Sequence, residues 1–236
     1  MAVEVVVDTE TTGLGLYDRS GPRPDGVVQV GLAWRHPSRG VQSWERLCNP
    51  GAEFLEDGRA DFALQISGIT RDQVLSAPST RIVARELSNT LARIERSLGK
   101  VQLLAFNVEF DKSFLTVEPW NIRTGWGPCL MVAAAQLFGA RRGRISLQEA
   151  SGLVGVKVEG RPHTAAVDAQ TALLLHEYVS GVAKRGDKKA VTQGHKPRPP
   201  AMGSGYREGC ELCENTGPHS GPHGYFQEGD FYSLEN

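Results

Sequence analysis

The stretch VVVDTETTG, residues 5–13, decides how the beginning of this chain is expected to fold. The run Val3–Val7, apolar and β-branched apart from Glu4, predicts a strand that is covered on both of its faces. Asp8 and Glu10 follow this run two residues apart, so on a strand both side chains project from the same face. A strand end that reaches solvent, with hydrated carboxylates, explains such a pair as well as a functional site does. The pair alone leaves both explanations open.

The composition is that of a globular chain without an overall electrostatic preference. With 236 residues, 40% of them hydrophobic, the chain can bury a full core in one domain. A net charge of −1 does not favour coating a nucleic acid, although a few local cations suffice to hold the end of a strand. The sequence has no apolar run of the roughly 18 residues that a membrane span needs, and no signal peptide pattern at its start. These features and the four cysteines predict a reducing, cytoplasmic setting without a membrane partner.

Hydrophobic periodicity predicts one layered α/β domain followed by a linker and a tail. Beyond the first strand, further strands are predicted at residues 27–34, 41–47 and 101–106. Helices are predicted at residues 79–98, around 110–115, and at 128–138, 146–153 and 164–182, with Thr70 as the cap of another short helix. Residues 48–69 are predicted to be irregular. The resulting organisation is a domain over 1–182, a basic linker over 183–200 and a Gly-rich tail over 201–236.

Two later stretches place further acids where a purely structural role is harder to explain. In AFNVEFDKSFL, residues 105–115, Asp111 lies near the start of a predicted helix, where the helix dipole also favours an acid. In HTAAVDAQTALLL, residues 163–175, Asp168 is the only charged residue between His163 and His176. A carboxylate on such an apolar helix is costly unless it is exposed or compensated.

Together the three stretches resemble the DEDDh family of 3′–5′ exonucleases, which includes the proofreading epsilon subunits of bacterial replicases. DTETTG at 8–13 matches the first motif of that family, NVEFDK at 107–112 the second, and HTAAVD at 163–168 the third. Phe106 and Ser67 stand where the family often has other residues. The resemblance implies an RNase H-like α/β fold, a mixed five-stranded sheet with an antiparallel second strand and helices on both faces.

The resemblance also implies a metal-dependent catalytic site of five residues. Asp8 would bridge two divalent ions, Glu10 and Asp168 would hold the ion that activates water, and Asp111 would hold the ion beside the leaving group. Oxygen ligands of this kind favour two Mg²⁺ or Mn²⁺ ions. His163 would be the general base, because imidazole titrates near neutral pH.

The terminal nucleotide of the substrate would bind beside these residues. By resemblance, the substrate-binding residues are Thr11, Thr12, Gly13, Leu14, Asn107 and Phe110. Basic residues flank the site in the sequence and are candidates for phosphate contacts, although a solvated surface position is the commoner explanation for each. They are Lys112, Arg141, Arg142, Arg144 and Arg161.

The function predicted in this way is hydrolysis of DNA from its 3′ end, releasing nucleoside monophosphates, in proofreading or repair. The expected partner is a nucleic acid 3′ end, first of all single-stranded DNA, and a DNA polymerase is a further candidate. Two alternatives stay open: an exonuclease of the same family that trims RNA 3′ ends, and a non-catalytic RNase H-like module that binds nucleic acid or a protein.

The tail carries a second candidate metal site. Cys210, Cys213, His219 and His223 follow the spacing C-x2-C-x5-H-x3-H, which is a suitable ligand set for one tetrahedral, structural Zn²⁺. The short, Gly- and Pro-rich loops between these residues suit a zinc knuckle. An unfolded tail rich in glycine and histidine is an equally good interpretation of the same residues.

Overall fold

The structure is a computed structural model that describes residues 2–14, 25–56, 58–140 and 143–185. All of them belong to the first of two compact units, Met1–Thr192, and the second unit, Gln193–Asn236, lies outside the described residues. The strands are β1 (Val3–Thr11), β2 (Val27–His36), β3 (Gly40–Leu47), β4 (Val101–Leu104) and β5 (Gly125–Trp126). The helices are α1 (Gly58–Ser67), α2 (Arg71–Ser76), α3 (Thr80–Leu98), α4 (Val108–Leu115), α5 (Leu130–Phe138), α6 (Leu147–Val154) and α7 (Ala165–Arg185).

The five strands form one mixed sheet in the order β3-β2-β1-β4-β5. Strand β2 runs antiparallel to β1 and to β3, whereas β4 is parallel to both β1 and β5. The predicted fold, an RNase H-like mixed five-stranded sheet flanked by helices, is therefore confirmed. Asp8 of β1 pairs with Gly31 of β2, which in turn pairs with Glu45 of β3. These three residues consequently share one face of the sheet.

The valines of β1 are buried on both faces, as the sequence predicts. Val5 and Val7 pack in a core cluster with residues of α3 and α4, including Leu87 and Phe114. Val6 packs on the opposite face against α7, whose contacting residues are Ala169, Ala172 and Leu173. Because side chains alternate along a strand, Asp8 and Glu10 lie on the α7 face and Thr9 lies on the α3 and α4 face.

The helix signals in the sequence are matched by the caps in the structure. Thr70 and Gln73 form a reciprocal capping box at the start of α2. Helix α3 ends at Gly99, and α5 and α6 end at Gly139 and Gly155, both of which adopt the left-handed conformation that glycine tolerates best. Helix α7 continues to Arg185, three residues beyond the predicted end.

Two regions differ from the prediction. The segment predicted to be irregular contains a 3₁₀ turn at Ala52–Phe54 and helix α1. Phe62, Leu64 and Ile66 alternate with a period of two, which obscures the helical pattern. Strand β5 is only two residues long and contains a glycine, so it offers no strand pattern, and β4 ends at Leu104, two residues earlier than predicted.

Several predicted features lie outside the described residues: Arg141, Arg142, most of the linker, and the tail with Cys210, Cys213, His219 and His223. Across the described ranges, none of the helices combines the length and the apolar character that crossing a membrane requires.

Candidate active site

Three of the predicted acids meet at one end of the sheet. Asp8 and Glu10 lie at the carboxyl end of β1, and Asp168 lies in the first turn of α7, which packs on the same face. One carboxylate oxygen from each residue can be chosen so that all three atoms lie within 4.8 Å of one another. Residues distant in the sequence therefore form one compact acidic cluster, which we call the acidic triplet.

The start of α7 is held against the sheet by residues that the sequence analysis did not identify. A Cβ atom at Gly31 would lie 2.3 Å from the carbonyl carbon of Ala165, so the helix rests directly on the strand backbone. The Gln29 side chain accepts a hydrogen bond from the Ala165 amide at 3.0 Å. Glu45 accepts one from the Ala166 amide at 2.8 Å. These bonds satisfy amides that a helix start leaves without partners, and they fix where Asp168 lies.

Burial and mutual repulsion disfavour the ionised forms of the triplet. Burial raises the pKa of Asp8 well above its usual range, and the charges of Asp111, Glu10 and Asp168 raise it further. Burial, followed by the charges of Asp168 and Asp111, raises the pKa of Glu10 to about 8. Burial also raises the pKa of Asp168, and the adjacent His163 opposes this shift. A bound cation would relieve the repulsion.

Asp111 approaches the triplet from the other side of β1. It lies in α4 with 3% of its surface exposed, and the Thr9 hydroxyl donates a 2.8 Å hydrogen bond to its Oδ1 atom. Burial raises the pKa of Asp111 to about 7, against hydrogen bonds from Thr9 and from backbone amides that lower it. Asp111 is not a member of the three-carboxylate group, but its charge acts on both Asp8 and Glu10. It therefore belongs to the same electrostatic unit.

His163 lies immediately before α7, beside Asp168. Its Nδ1 atom is 3.9 Å from the Asp168 carboxylate, and its Nε2 atom is 3.2 Å from the side-chain amide of Gln148. Its backbone has a φ of 59°, an uncommon conformation for a residue other than glycine. The imidazole thus lies between the Asp168 carboxylate and the side-chain amide of Gln148. Gln148 gave no signal in the sequence, because it is one polar residue at the start of a short helix.

The predicted substrate-binding residues lie at the same end of the sheet but have structural contacts of their own. Thr11 ends β1 and Thr12–Leu14 directly follow it, whereas Asn107 and Phe110 follow the parallel strand β4. The Thr12 hydroxyl accepts a hydrogen bond from the Gly26 amide at 2.9 Å, and the Thr11 hydroxyl donates one to the Gly13 carbonyl at 2.6 Å. The ring of Phe110 packs edge-on against Phe114 at 5.2 Å.

Two of the predicted basic residues have defined surroundings. Lys112 lies 4.0 Å from Glu109 on the same helix. The guanidinium of Arg161 fills the space beside Gly68 where a Cβ atom would stand, so it lies against the loop between α1 and α2. This contact joins the segment before His163 to the region around Ser67.

The donor atoms of the triplet fit hard divalent cations. All three ligands are carboxylates, which suit Mg²⁺ and Mn²⁺, and the cluster offers no imidazole or thiolate that would favour zinc. Burial, together with repulsion at Asp8 and Glu10, raises the pKa values of its members, and a bound cation would favour their ionised forms. Asp8, Glu10 and Asp168 are therefore able to hold such an ion.

Comparison with curated proteins and solved structures places the chain among nucleases. ERI1 exoribonuclease 2 of Danio rerio is 28% identical, over a region that covers 62% of this chain and 30% of the relative. The chain thus spans about a third of the length of that relative.

The solved structures share the fold at lower identity. Exonuclease X in complex with 5′-overhanging duplex DNA is 21% identical, with a TM-score of 0.51, over 80% of this chain and 99% of that one. The nuclease domain of 3′hExo, a DEDDh family member bound to rAMP, is 18% identical, with a TM-score of 0.57, over 79% of this chain and 94% of that one.

A family model covers most of the described region. The RNase_T model, described as an exonuclease, matches residues 5–175 and so includes all three acidic motifs. The more specific similarity to epsilon subunits is not confirmed by these comparisons. The family resemblance itself is confirmed, and the chain belongs to the RNase_T exonuclease family, whose DEDDh members share its fold.

Proposed function

We propose that this chain is a metal-dependent 3′–5′ exonuclease that removes nucleoside monophosphates from the end of a nucleic acid strand. The observation that carries this proposal is the convergence of Asp8, Glu10 and Asp168 within 4.8 Å of one another. Three half-buried carboxylates this close repel one another and destabilise the fold unless a bound cation compensates for their charge. The non-catalytic alternative offers no reason for such an arrangement.

The residues of the site would have two roles in phosphodiester hydrolysis, metal binding and proton transfer. When bound, two Mg²⁺ or Mn²⁺ ions supply the positive charge that activates water and stabilises the leaving oxygen. The triplet would hold them from the α7 face of β1, and Asp111 would contribute from the α4 face. His163 would accept the proton of the attacking water, since it lies beside Asp168 at the edge of the cluster.

The substrate would enter with its 3′ end next to the turn after β1. Thr11, Thr12, Gly13 and Leu14 would seat the terminal nucleotide, with Asn107 and Phe110 on the opposite side. The hydrogen bonds that hold Thr11 and Thr12 in the turn support a rigid backbone there. A preformed backbone lowers the entropy cost of binding a strand end.

DNA is the first candidate substrate, and RNA is a second that one observation favours. The curated relative is an exoribonuclease, whereas the solved structures that share the fold include complexes with DNA and with rAMP. Discrimination between the two depends on contacts with the 2′-hydroxyl. We propose that the activity resides in residues 1–182. Proofreading or repair beside a polymerase, a cytoplasmic location, the linker at 183–200 and a zinc knuckle in the tail remain predictions.

A degradation assay with end-labelled strands tests the proposal. We expect 5′-labelled DNA to shorten stepwise in Mg²⁺ or Mn²⁺, and EDTA to stop the reaction. Asp8→Ala should be inactive, whereas Glu109→Ala should retain activity, because that carboxylate is 69% exposed on the helix of Asp111. RNA of the same sequence, assayed in parallel, measures the preference for the sugar. Full activity of Asp8→Ala would refute the proposal.

A further inference from the structure

Thr9 stands between the first two predicted metal ligands, yet its side chain leaves the strand on the opposite face. It is buried, with 7% of its surface exposed, and its hydroxyl donates a hydrogen bond to a carboxylate 102 positions later in the chain. The acceptor is Asp111, whose own exposure is 3%. The residue that separates Asp8 from Glu10 is thus in direct contact with the fourth acid of the site.

The pattern of β1 shows that the hydroxyl at this position has a specific use. Val5 and Val7 occupy the same face of the strand and pack in the apolar core, so a third valine would continue the row. Threonine has almost the shape of valine but carries one hydroxyl in place of a methyl group. A buried hydroxyl without a hydrogen-bond partner destabilises the fold, and the partner of this hydroxyl is the Asp111 carboxylate.

We propose that Thr9 is a positioning residue that holds the Asp111 carboxylate in the orientation needed to bind a divalent cation; this inference rests on the proposed function. The terminal torsion of an aspartate is broad, so a carboxylate without a fixed partner samples many orientations. A hydrogen bond to one oxygen restricts that rotation.

The second layer of contacts around a metal site has a known range of effects. Removing a residue that hydrogen-bonds a ligand typically lowers metal affinity or activity by about 10–100-fold. The nearly isosteric change Thr9→Val removes the hydroxyl alone. Thr9→Ser keeps the hydroxyl and removes the methyl group. Comparing these two variants separates the effect of the hydrogen bond from the effect of side-chain packing.

The test measures Mn²⁺ binding to the full chain, from the electron paramagnetic resonance signal of free Mn²⁺, without substrate. We expect Thr9→Val and Thr9→Ala to weaken binding of at least one ion by about 10–100-fold, Thr9→Ser to stay within about threefold of the wild type, and Asp111→Asn to lose that ion. Melting curves in EDTA identify any variant that fails to fold.

The outcomes separate this inference from the proposed function. If the wild type binds no Mn²⁺, the proposed function fails and the inference fails with it. If Asp111→Asn weakens binding while folded Thr9→Val and Thr9→Ala bind like the wild type, the role of Thr9 is overturned and the proposed function stands. Loss in both hydroxyl-free variants, with recovery in Thr9→Ser, supports the inference.

Discussion

Replacing Gly31 with alanine should displace the start of α7 and with it Asp168. The added Cβ atom would lie 2.3 Å from the carbonyl carbon of Ala165 and 2.5 Å from the amide nitrogen of Ala166. Both are backbone atoms of the helix, so no side chain can rotate out of the way. Real Cβ atoms essentially never approach closer than 3.0 Å, so the helix start must move by about 1 Å to reach an ordinary contact.

The expected loss follows from that displacement. A misplacement of about 1 Å in a catalytic group can lower the rate by about 10²-fold, and Asp168 lies three residues after Ala165. Overpacking of this kind costs about 1–3 kcal/mol of stability. In a chain of this size that lowers the melting temperature by about 2–12 °C. Gly31→Ala should therefore remain folded at 25 °C while losing most of its nuclease activity.

Single-turnover cleavage of a 5′-labelled oligonucleotide, together with a melting curve, measures both effects. Gly125→Ala is the matched control, because this glycine also lies in a strand of the sheet but an added Cβ meets nothing within 4 Å. We expect the control to keep its activity and its melting temperature. Wild-type activity in Gly31→Ala would show that the position of α7 on the strand does not set the geometry of the site.

Three further predictions concern charge, the helix anchor and the base. Because burial raises the pKa of Glu10 from 4.5 to about 8, the folded protein binds more protons than the unfolded chain between these two pH values. Without metal, the melting temperature should therefore fall as the pH rises from 4.5 to about 8, and Mn²⁺ at pH 8 should restore it. A metal-free melting temperature that rises over this range would contradict the prediction. Gln29→Leu leaves the buried Ala165 amide without its acceptor and should lower the free energy of unfolding, measured in urea, by about 1–3 kcal/mol. An unchanged free energy of unfolding would show that this hydrogen bond does not stabilise the start of α7. His163→Ala should lower the cleavage rate by about 10²–10⁴-fold while Mn²⁺ affinity stays within a few-fold, and an unaltered rate would exclude it as the base.

The parts of the site that the sequence predicts are those with local patterns. A valine run followed by Asp8 and Glu10 specifies a strand and a shared face, because both depend only on the period of a strand. The apolar setting of Asp168 is equally local. Each of these features can be recognised within a window of about ten residues.

The parts that the sequence does not reveal depend on register between distant strands. Gln29 and Glu45 contact α7 because they lie on neighbouring strands, on the face of Gly31 to which Asp8 also belongs, and no local pattern encodes that pairing. Gly31, inside the apolar strand VVQVGLAW, was the available hint, since a glycine within a strand often marks a close approach of another backbone. Its partner could not be named without the fold.

The alternation of β1 explains how so short a segment can organise helices on both sides of the sheet. Asp8 and Glu10 face α7 and meet Asp168, while Thr9 faces α4 and contacts Asp111. A slip of one residue in the register would exchange the two faces and bury the wrong set of side chains. Val5, Val6 and Val7 fit either core equally well, so the cost of the slip comes from the residues that follow them: Asp8 and Glu10 would leave Asp168 for the α3 and α4 face, and Thr9 would lose its hydrogen bond to Asp111. The valines therefore supply the buried platform, whereas the alternation of Asp8, Thr9 and Glu10 distinguishes the two faces, so a stable register is a requirement of the chemistry as much as of the fold.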